Sequence, residues 1–305
     1  IASIHISKSK DLLDSPIGSS MINSALVYFY IGDDKKELSA TSDYVHQDPS
    51  TVITEGASYT IEASATGYQP ISASVVVPQR PVFSSIDTSF KKTTYPGCFD
   101  CSPEYFFRTE LKIKDDANST DFYQLELMLV TKIPGEEGKT MESSFGTVTT
   151  SPFIEFAGTD YYLNPTNLGG ESNGSSFYFS DQSFSGRNIS ISFYADAYSF
   201  YYRWMPGYMW EGDEKEKPVP AIPELCIRLS RISEDLFLHL KALASNYALG
   251  DMPLTEPVYI PTNIKNGLGV LGAKASVDTM INMEDVYRQL EDITYEVDEY
   301  YYYDL

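Results

Sequence analysis

Cysteine, histidine and tryptophan are all scarce in this sequence. Its 305 residues contain three cysteines, three histidines and two tryptophans. A structural zinc site needs about four nitrogen or sulfur ligands. The one Cys98-x-x-Cys101 pair, with histidines far apart at His5, His46 and His239, does not supply them. We therefore expect no metal site, and we interpret the Cys98–Cys101 segment as an irregular loop with a local disulfide or two thiols.

Long apolar runs and positive charge are lacking as well. No apolar stretch reaches the roughly 18 residues that a membrane-spanning helix needs, so we predict none. Lys and Arg number 22 against 43 Asp and Glu, which gives a formal net charge of -21. Such a chain repels phosphate groups, and this argues against DNA, RNA and anionic lipid surfaces as partners. No signal peptide is present, and the chain opens directly in the strand-like run IASIHIS, so we expect that part of the natural chain precedes Ile1.

Catalytic motifs do not stand out either. No histidine lies near a G-x-S-x-G turn, which a hydrolase with that nucleophile elbow would need. Among so many acids, no pair is marked as the two carboxylates of a glycosidase. His239 falls on a predicted helix, where a surface or half-buried role is the simpler interpretation, and Cys226 falls in an apolar run typical of a core. We predict a non-enzymatic protein without a cofactor.

What the sequence does contain is many β-branched and aromatic runs. These runs alternate partly between apolar and polar residues and are bounded by turn residues, as strands are. The sequence predicts a mainly β chain with two β-sandwich-like domains. The first is an immunoglobulin-like sandwich over residues 1–82 whose first strand is missing, and the second is a larger β domain over 104–281, with a linker over 83–103 between them. The strand candidates are residues 24–31, 59–65, 71–77, 106–114, 121–131, 177–180, 189–194, 222–230 and 267–277.

Two segments have helical patterns. Ser233 can cap a helix near residues 234–248, which we place inside the second domain, and the acids that follow it suit the helix dipole. Its apolar stripe consists of Leu236, Leu240, Leu243 and Tyr247. The acidic, tyrosine-rich tail over residues 282–305 also has helical spacing, and burial against the body or a second copy must stabilise it. Its apolar face consists of Val286, Leu290, Ile293 and Val297.

An aromatic run over residues 198–217 is the first candidate binding segment. It contains both tryptophans of the chain and several tyrosines around a Pro-Gly turn. Exposed aromatic rings form stacking platforms for sugars or anchors for proteins. We assign a ligand or partner contact to Tyr202, Trp204, Tyr208 and Trp210. The alternative is that these rings fold back and cover the core of the domain.

An oxygen-rich loop is the second candidate. Asp115, Asp116, Asn118 and Asp121 lie close together in sequence, and calcium favours such loops. The spacing of an EF-hand is absent, however. An ordinary Asx-rich hairpin turn is therefore the favoured interpretation.

The glycine-rich segment over residues 261–275, PTNIKNGLGVLGAKA, is the most distinctive stretch of the chain. Glycines at this density in an apolar run are typical of a bulged strand or a close backbone approach. The segment resembles the NI-x-NGLGVFG-like run of a family of exported Bacteroidetes lipoproteins classed as domain of unknown function 4249. Three further segments are similar to that family in the same order, and the resemblance covers roughly residues 2–280. They are GYQPISASVVVPQRPVFSSI over 67–86, FSDQSFSG over Phe179–Gly186, and IRLSRISEDLFLHL over Ile227–Leu240.

The resemblance implies a location and a partner. Members are exported lipoproteins of the outer membrane, so we expect a signal peptide and a lipobox cysteine before Ile1, and membrane contact only through that N-terminal lipid. Family genes often lie beside genes for TonB-dependent receptors. The expected partner is therefore such a receptor, and the expected ligand is a small nutrient, peptide or glycan. A fimbrial or adhesive structural subunit is the alternative, and a hydrolase is the third and least favoured class. The family has no established catalytic residues to carry over.

Overall fold

A computed structural model of the chain is mainly β, with one α-helix in the part of the chain that it describes, and this confirms the predicted fold class. The structure describes residues 2–7, 22, 24–40, 45–48, 50–93, 104–132, 140–144, 147–149, 151–158, 176–196, 224–249 and 259–283. The strands are β1 Ala2–His5, β2 Leu26–Ile31, β3 Asp34–Ala40, β4 Val45–Asp48, β5 Ser58–Ser64, β6 Ile71–Val76, β7 Val82–Thr93, β8 Glu104–Lys114, β9 Phe122–Lys132, β10 Thr140–Ser144, β11 Thr147–Thr149, β12 Phe156–Gly158, β13 Ser176–Ser180, β14 Asn188–Asp196, β15 Glu224–Ile232 and β16 Lys274–Asn282. The helix is α1, Glu234–Leu249.

The chain forms two compact units, and each unit is discontinuous in sequence. Unit 1 contains Ile1–Arg80 and Arg231–Ala275, and unit 2 contains Pro81–Ser230 and Ser276–Leu305. The position of helix α1 along the sequence predicts that it belongs to the second domain. By its contacts, the helix instead belongs to unit 1, because the chain returns to that unit for residues 231–275.

Unit 1 is organised around a six-stranded sheet with the order β1-β4-β3-β2-β5-β6. Alternate residues of β5, namely Tyr59, Ile61 and Ala63, are buried, as a sheet with one face toward a core requires. The ring of Phe29 on β2 stacks on that of Tyr59 with 5.2 Å between the centroids. Residues from the glycine-rich segment, including Leu271, pack against the same core.

Unit 2 has two sheets that enclose one apolar core. The first has the order β12-β13-β9-β15-β16, with β10 also paired to β9, and the second has the order β11-β14-β8-β7. Strand β9 supplies Tyr123, Leu125, Leu127 and Leu129 to the core, each at most 1 % exposed. The alternate residues Phe122, Gln124 and Glu126 are buried too, so the first half of this strand lies inside the unit on both of its faces.

Two predicted boundaries differ from the structure. Much of the predicted linker over 83–103 belongs to strand β7, which pairs with β8 from Val82↔Lys114 to Thr93↔Glu104. Pro78 and Pro81 lie in the break between β6 and β7, so they separate the two strands but do not prevent a new strand from starting at Val82. The predicted strand over 267–277 begins only at Lys274, because the glycines before it form a loop instead.

Several other predictions can be placed. Cys226 is 3 % exposed in β15, which confirms it as a core residue. The Cys98–Cys101 segment and the acidic tail after residue 283 lie outside the described residues. Within the described part of the chain, no helix has both the length and the apolar character needed to cross a bilayer.

Candidate functional site

The glycine-rich segment forms a loop that one asparagine side chain closes. Asn263 Oδ1 accepts a hydrogen bond from the backbone N–H of Leu271 at 2.8 Å, and its Nδ2 donates to the carbonyl of Leu271 at 2.9 Å. The same Nδ2 also donates to Asp235 Oδ2, at 2.9 Å, in the first turn of α1. The base of the loop is therefore fixed and tied to the helix. We call residues 263–271 the closed loop.

Helix α1 packs tightly on the segment that follows this loop. A Cβ atom added to Gly272 would lie 2.8 Å from Leu236 Cδ2, so only glycine allows this approach. His239 Nδ1 also hydrogen-bonds to the carbonyl of Pro261 at 2.7 Å. Pro261 precedes the closed loop in the sequence, so the helix contacts the chain on both sides of the loop. Ser233 also contributes, since its backbone N–H donates to Ala273 O and its hydroxyl accepts from Ala273 N. The predicted close backbone approach is thus confirmed.

The closed loop is also attached to the edge strand β6. Lys265 and Ser72 exchange backbone hydrogen bonds of 2.8 and 3.3 Å. Asn266 has a φ of 60°, a left-handed conformation that asparagine tolerates better than most residues. Its Nδ2 donates to the carbonyl of Pro70 at 3.1 Å. Together these bonds place residues 266–269 beside the ends of β5 and β6.

A cavity of about 590 Å³ lies between the closed loop and the sheet of unit 1. Part of its wall is apolar and includes Ile6, Ile22, Ala63 and Ile71. Side chains that can form hydrogen bonds lie around this wall, among them Ser64, Gln69 and Asn266. Two large side chains at the rim are exposed to solvent: Tyr68 at 52 % and Leu268 at 83 %.

The described residues that line this cavity are all uncharged. An ionic ligand would lose hydration on entry without a charged partner in return. A neutral ligand with an apolar face and a few hydroxyl or amide groups fits better, and the volume lies in the range of roughly 300–1,000 Å³ typical of ligand sites.

Among the described residues, one group of carboxylates is close enough together to hold a metal ion. It consists of Asp115, Asp121 and Asp181 in unit 2. Two of these residues come from the predicted oxygen-rich loop. Asp116 forms the expected Asx turn, since its Oδ1 accepts from the backbone N–H of Asn118 at 3.1 Å. Sequence reasoning missed Asp181, which lies 60 positions after Asp121, because only the pairing of strands brings it to the loop.

The aromatic contact assigned from the sequence lies outside the described residues. Tyr202, Trp204, Tyr208 and Trp210 all fall in the stretch 197–223. Their assignment stays a prediction. The cavity in unit 1 was not predicted, although the glycine-rich segment that forms one of its walls was the most distinctive signal in the sequence.

One family model matches the chain. It is described as Domain of unknown function (DUF4249), and it covers residues 2–279. No curated protein and no solved structure matches the chain significantly. Both the cavity and the carboxylate group lie within the matched region.

Proposed function

This chain belongs to the DUF4249 family, and we propose that it is a non-enzymatic binding protein that assists a TonB-dependent receptor in nutrient uptake. In this proposal the mature protein is exported and held at the outer membrane of a Bacteroidetes cell by an N-terminal lipid. The observation that carries the proposal is the cavity of about 590 Å³ in unit 1, whose described lining is uncharged.

The ligand class follows from the side chains of the cavity. The exposed ring of Tyr68 offers a flat face on which a sugar ring or an apolar side chain can stack. Gln69 beside it offers both donors and an acceptor. We therefore propose a short neutral glycan or an uncharged peptide, and we expect anionic nutrients to be excluded by the net charge of -21.

The fixed closed loop supports binding rather than a lid mechanism. The side chain of Asn263 joins the two ends of the loop, and the Ser72–Lys265 bonds attach its first half to β6. A wall that is already ordered costs less conformational entropy when a ligand binds. This arrangement suits a protein that captures a scarce nutrient and passes it on.

A binding experiment tests the ligand class. The full chain is titrated, by isothermal calorimetry, with a panel of neutral linear oligosaccharides and uncharged short peptides. For any probe that binds, Tyr68→Ala should weaken affinity by roughly 5- to 30-fold, equivalent to about 1–2 kcal/mol. Tyr259→Ala is the matched control, because Tyr259 is 80 % exposed and does not line the cavity. Equal effects of the two substitutions would show that the cavity is not the site.

A second experiment tests the partner and the location. The protein is tagged and expressed with its natural leader in a Bacteroidetes host, and outer membranes are solubilised in mild detergent. We expect a TonB-dependent receptor to co-purify with it and to be identified by mass spectrometry. Detergent-resistant polymers of the protein itself would favour the fimbrial alternative. Recovery in the soluble fraction alone would overturn the proposed anchoring.

A further inference from the structure

Three aspartates from separate turns meet at one end of unit 2. Asp115 follows β8, Asp121 precedes β9, and Asp181 follows β13. One carboxylate oxygen of each lies within 4.8 Å of the other two, and all three residues are buried. Asp181 reaches the other two because β13 pairs with β9 in the register Ser180↔Phe122. Its backbone N–H then donates to the carbonyl of Asp121 at 3.0 Å.

The carboxylate of Asp115 is fixed by two neutral donors. The hydroxyl of Tyr123 donates to its Oδ1 at 2.6 Å, and the backbone N–H of Gly186 donates to its Oδ2 at 2.8 Å. Gly186 has a φ of +74°, and a Cβ atom there would lie 2.6 Å from the Cβ of Ala117, so glycine alone permits this contact. The two donors fix the orientation of the carboxylate.

Asp181 is the residue that points to a ligand. It is 1 % exposed, and its Oδ2 is buried without a hydrogen-bond partner in the described part of the chain. A buried polar atom without a partner costs free energy, and the cost is larger for a charged group. A cation at this point would give that oxygen a partner and would compensate the charge of the neighbouring carboxylates.

We infer that Asp115, Asp121 and Asp181 form a Ca²⁺ site. Its donors are carboxylate oxygens, which hard cations prefer. Calcium accepts six to eight oxygens in irregular arrangements, whereas Mg²⁺ demands near-octahedral geometry and dehydrates reluctantly. Three buried carboxylates from different turns suit the more tolerant ion. Residues 116–120, which lie between Asp115 and Asp121, are exposed to solvent. Water molecules from that side could complete the coordination of the ion.

A calcium ion here would link the two sheets of unit 2. Strand β8 belongs to one sheet, and strands β9 and β13 belong to the other. The ion would therefore connect the ends of three strands across the core. Because the site exists only in the folded chain, calcium binding would stabilise the native state.

Thermal unfolding of the full chain tests the site. The protein is stripped with EDTA, dialysed and unfolded with increasing CaCl₂. At about 100 times the dissociation constant, the Tm should rise by roughly 5–10 °C. Asp181→Asn should abolish this rise. Asp116→Asn should keep it, since that substitution removes the same charge from an exposed residue outside the group. No rise in the parent protein, or an equal rise in Asp181→Asn, would overturn the site, and a larger rise with MgCl₂ would overturn the choice of calcium.

Terbium luminescence gives a second readout that does not depend on stability. Tyr123 hydrogen-bonds to Asp115, so its ring can transfer excitation to Tb³⁺ bound in the group. We expect tyrosine-sensitised emission that CaCl₂ displaces and that Asp181→Asn removes at a temperature where both proteins are folded. Emission of equal strength from the Asp181→Asn protein would place the terbium elsewhere on the acidic surface and refute the inference.

Discussion

Replacing Gly272 with alanine should destabilise unit 1 by about 1–3 kcal/mol, the usual cost of overpacking. A Cβ atom at this position would lie 2.8 Å from Leu236 Cδ2, 2.9 Å from Leu236 Cβ and 3.0 Å from Leu236 Cδ1. Rotating the leucine side chain moves the two methyl groups but not its Cβ, which the helix backbone holds. Helix α1 and the segment after the closed loop must therefore move apart.

A double-mutant cycle separates this packing effect from others. Leu236 is 6 % exposed, so Leu236→Ala alone should cost about 2–5 kcal/mol. In the double mutant, the clash with both methyl groups is gone and only the contact between the two Cβ atoms is left. The combined cost should therefore fall short of the sum of the single costs by about 1 kcal/mol or more.

Urea unfolding followed by circular dichroism measures all three variants. The parent and Gly272→Ala should have similar slopes but different midpoints, because the substitution changes stability rather than the surface exposed on unfolding. Two results would show that the helix does not pack on this glycine. One is a free energy of unfolding for Gly272→Ala within about 0.5 kcal/mol of the parent value. The other is a cost of the double mutant that equals the sum of the two single costs.

Three other outcomes follow from described contacts. Asp48 has its pKa lowered to about 2, chiefly by hydrogen bonds from Ser50 and Thr51, so its carboxylate contributes stability that is complete above pH 3.8 and lost as the pH falls toward 2. The urea midpoint of Asp48→Asn should therefore fall less between pH 5 and pH 2.5 than the midpoint of the parent protein does. An equal fall in the two proteins would contradict this. Arg228 binds Asp278 through Nε and Nη2 at 2.8 and 2.9 Å. Arg228→Lys should cost about 0.5–1 kcal/mol in urea unfolding, since lysine cannot bond to both oxygens in this way, and an equal or higher midpoint would refute it. Leu125→Ala should cost about 2–5 kcal/mol because its side chain is 0 % exposed, and a loss below 1 kcal/mol in the same assay would show a looser core.

The helix could be predicted closely because its signals are local. Ser233, the acids after it and the leucine stripe all lie within a few turns, and the observed helix Glu234–Leu249 agrees with the prediction to one residue. Strand β9 could also be predicted, since its apolar run is long and bounded by polar turns. These patterns depend on the residues of one segment alone.

Strand β3 shows what the sequence could not reveal. Its sequence, DKKELSA, is charged, and only Leu38 is buried within it. It is a strand because β2 on one side and β4 on the other supply its hydrogen bonds. Tertiary pairing overrides local propensity in such a segment.

Both candidate sites depend on residues that are distant in sequence. The cavity combines Tyr68 and Gln69 with the closed loop nearly 200 positions later, and the carboxylate group needs Asp181 beside Asp121. The glycine-rich segment signalled a close approach but not its partner. Without the order of the strands, no spacing rule connects these residues.

The discontinuity of the two units sets a schedule for the growing chain. Residues 1–80 become available for folding first, whether the chain emerges from the ribosome or from an export channel, and the segment 231–275 that completes unit 1 follows only after residues 81–230. At typical synthesis rates of roughly 5–20 residues per second, that interval lasts about 8–30 seconds. During this time Ser72 on the edge strand β6 lacks its backbone bonds to Lys265. The apolar core residues of unit 1 against which Leu271 later packs are also exposed. A chaperone that holds the early segment would therefore act in this interval, well before the cavity exists.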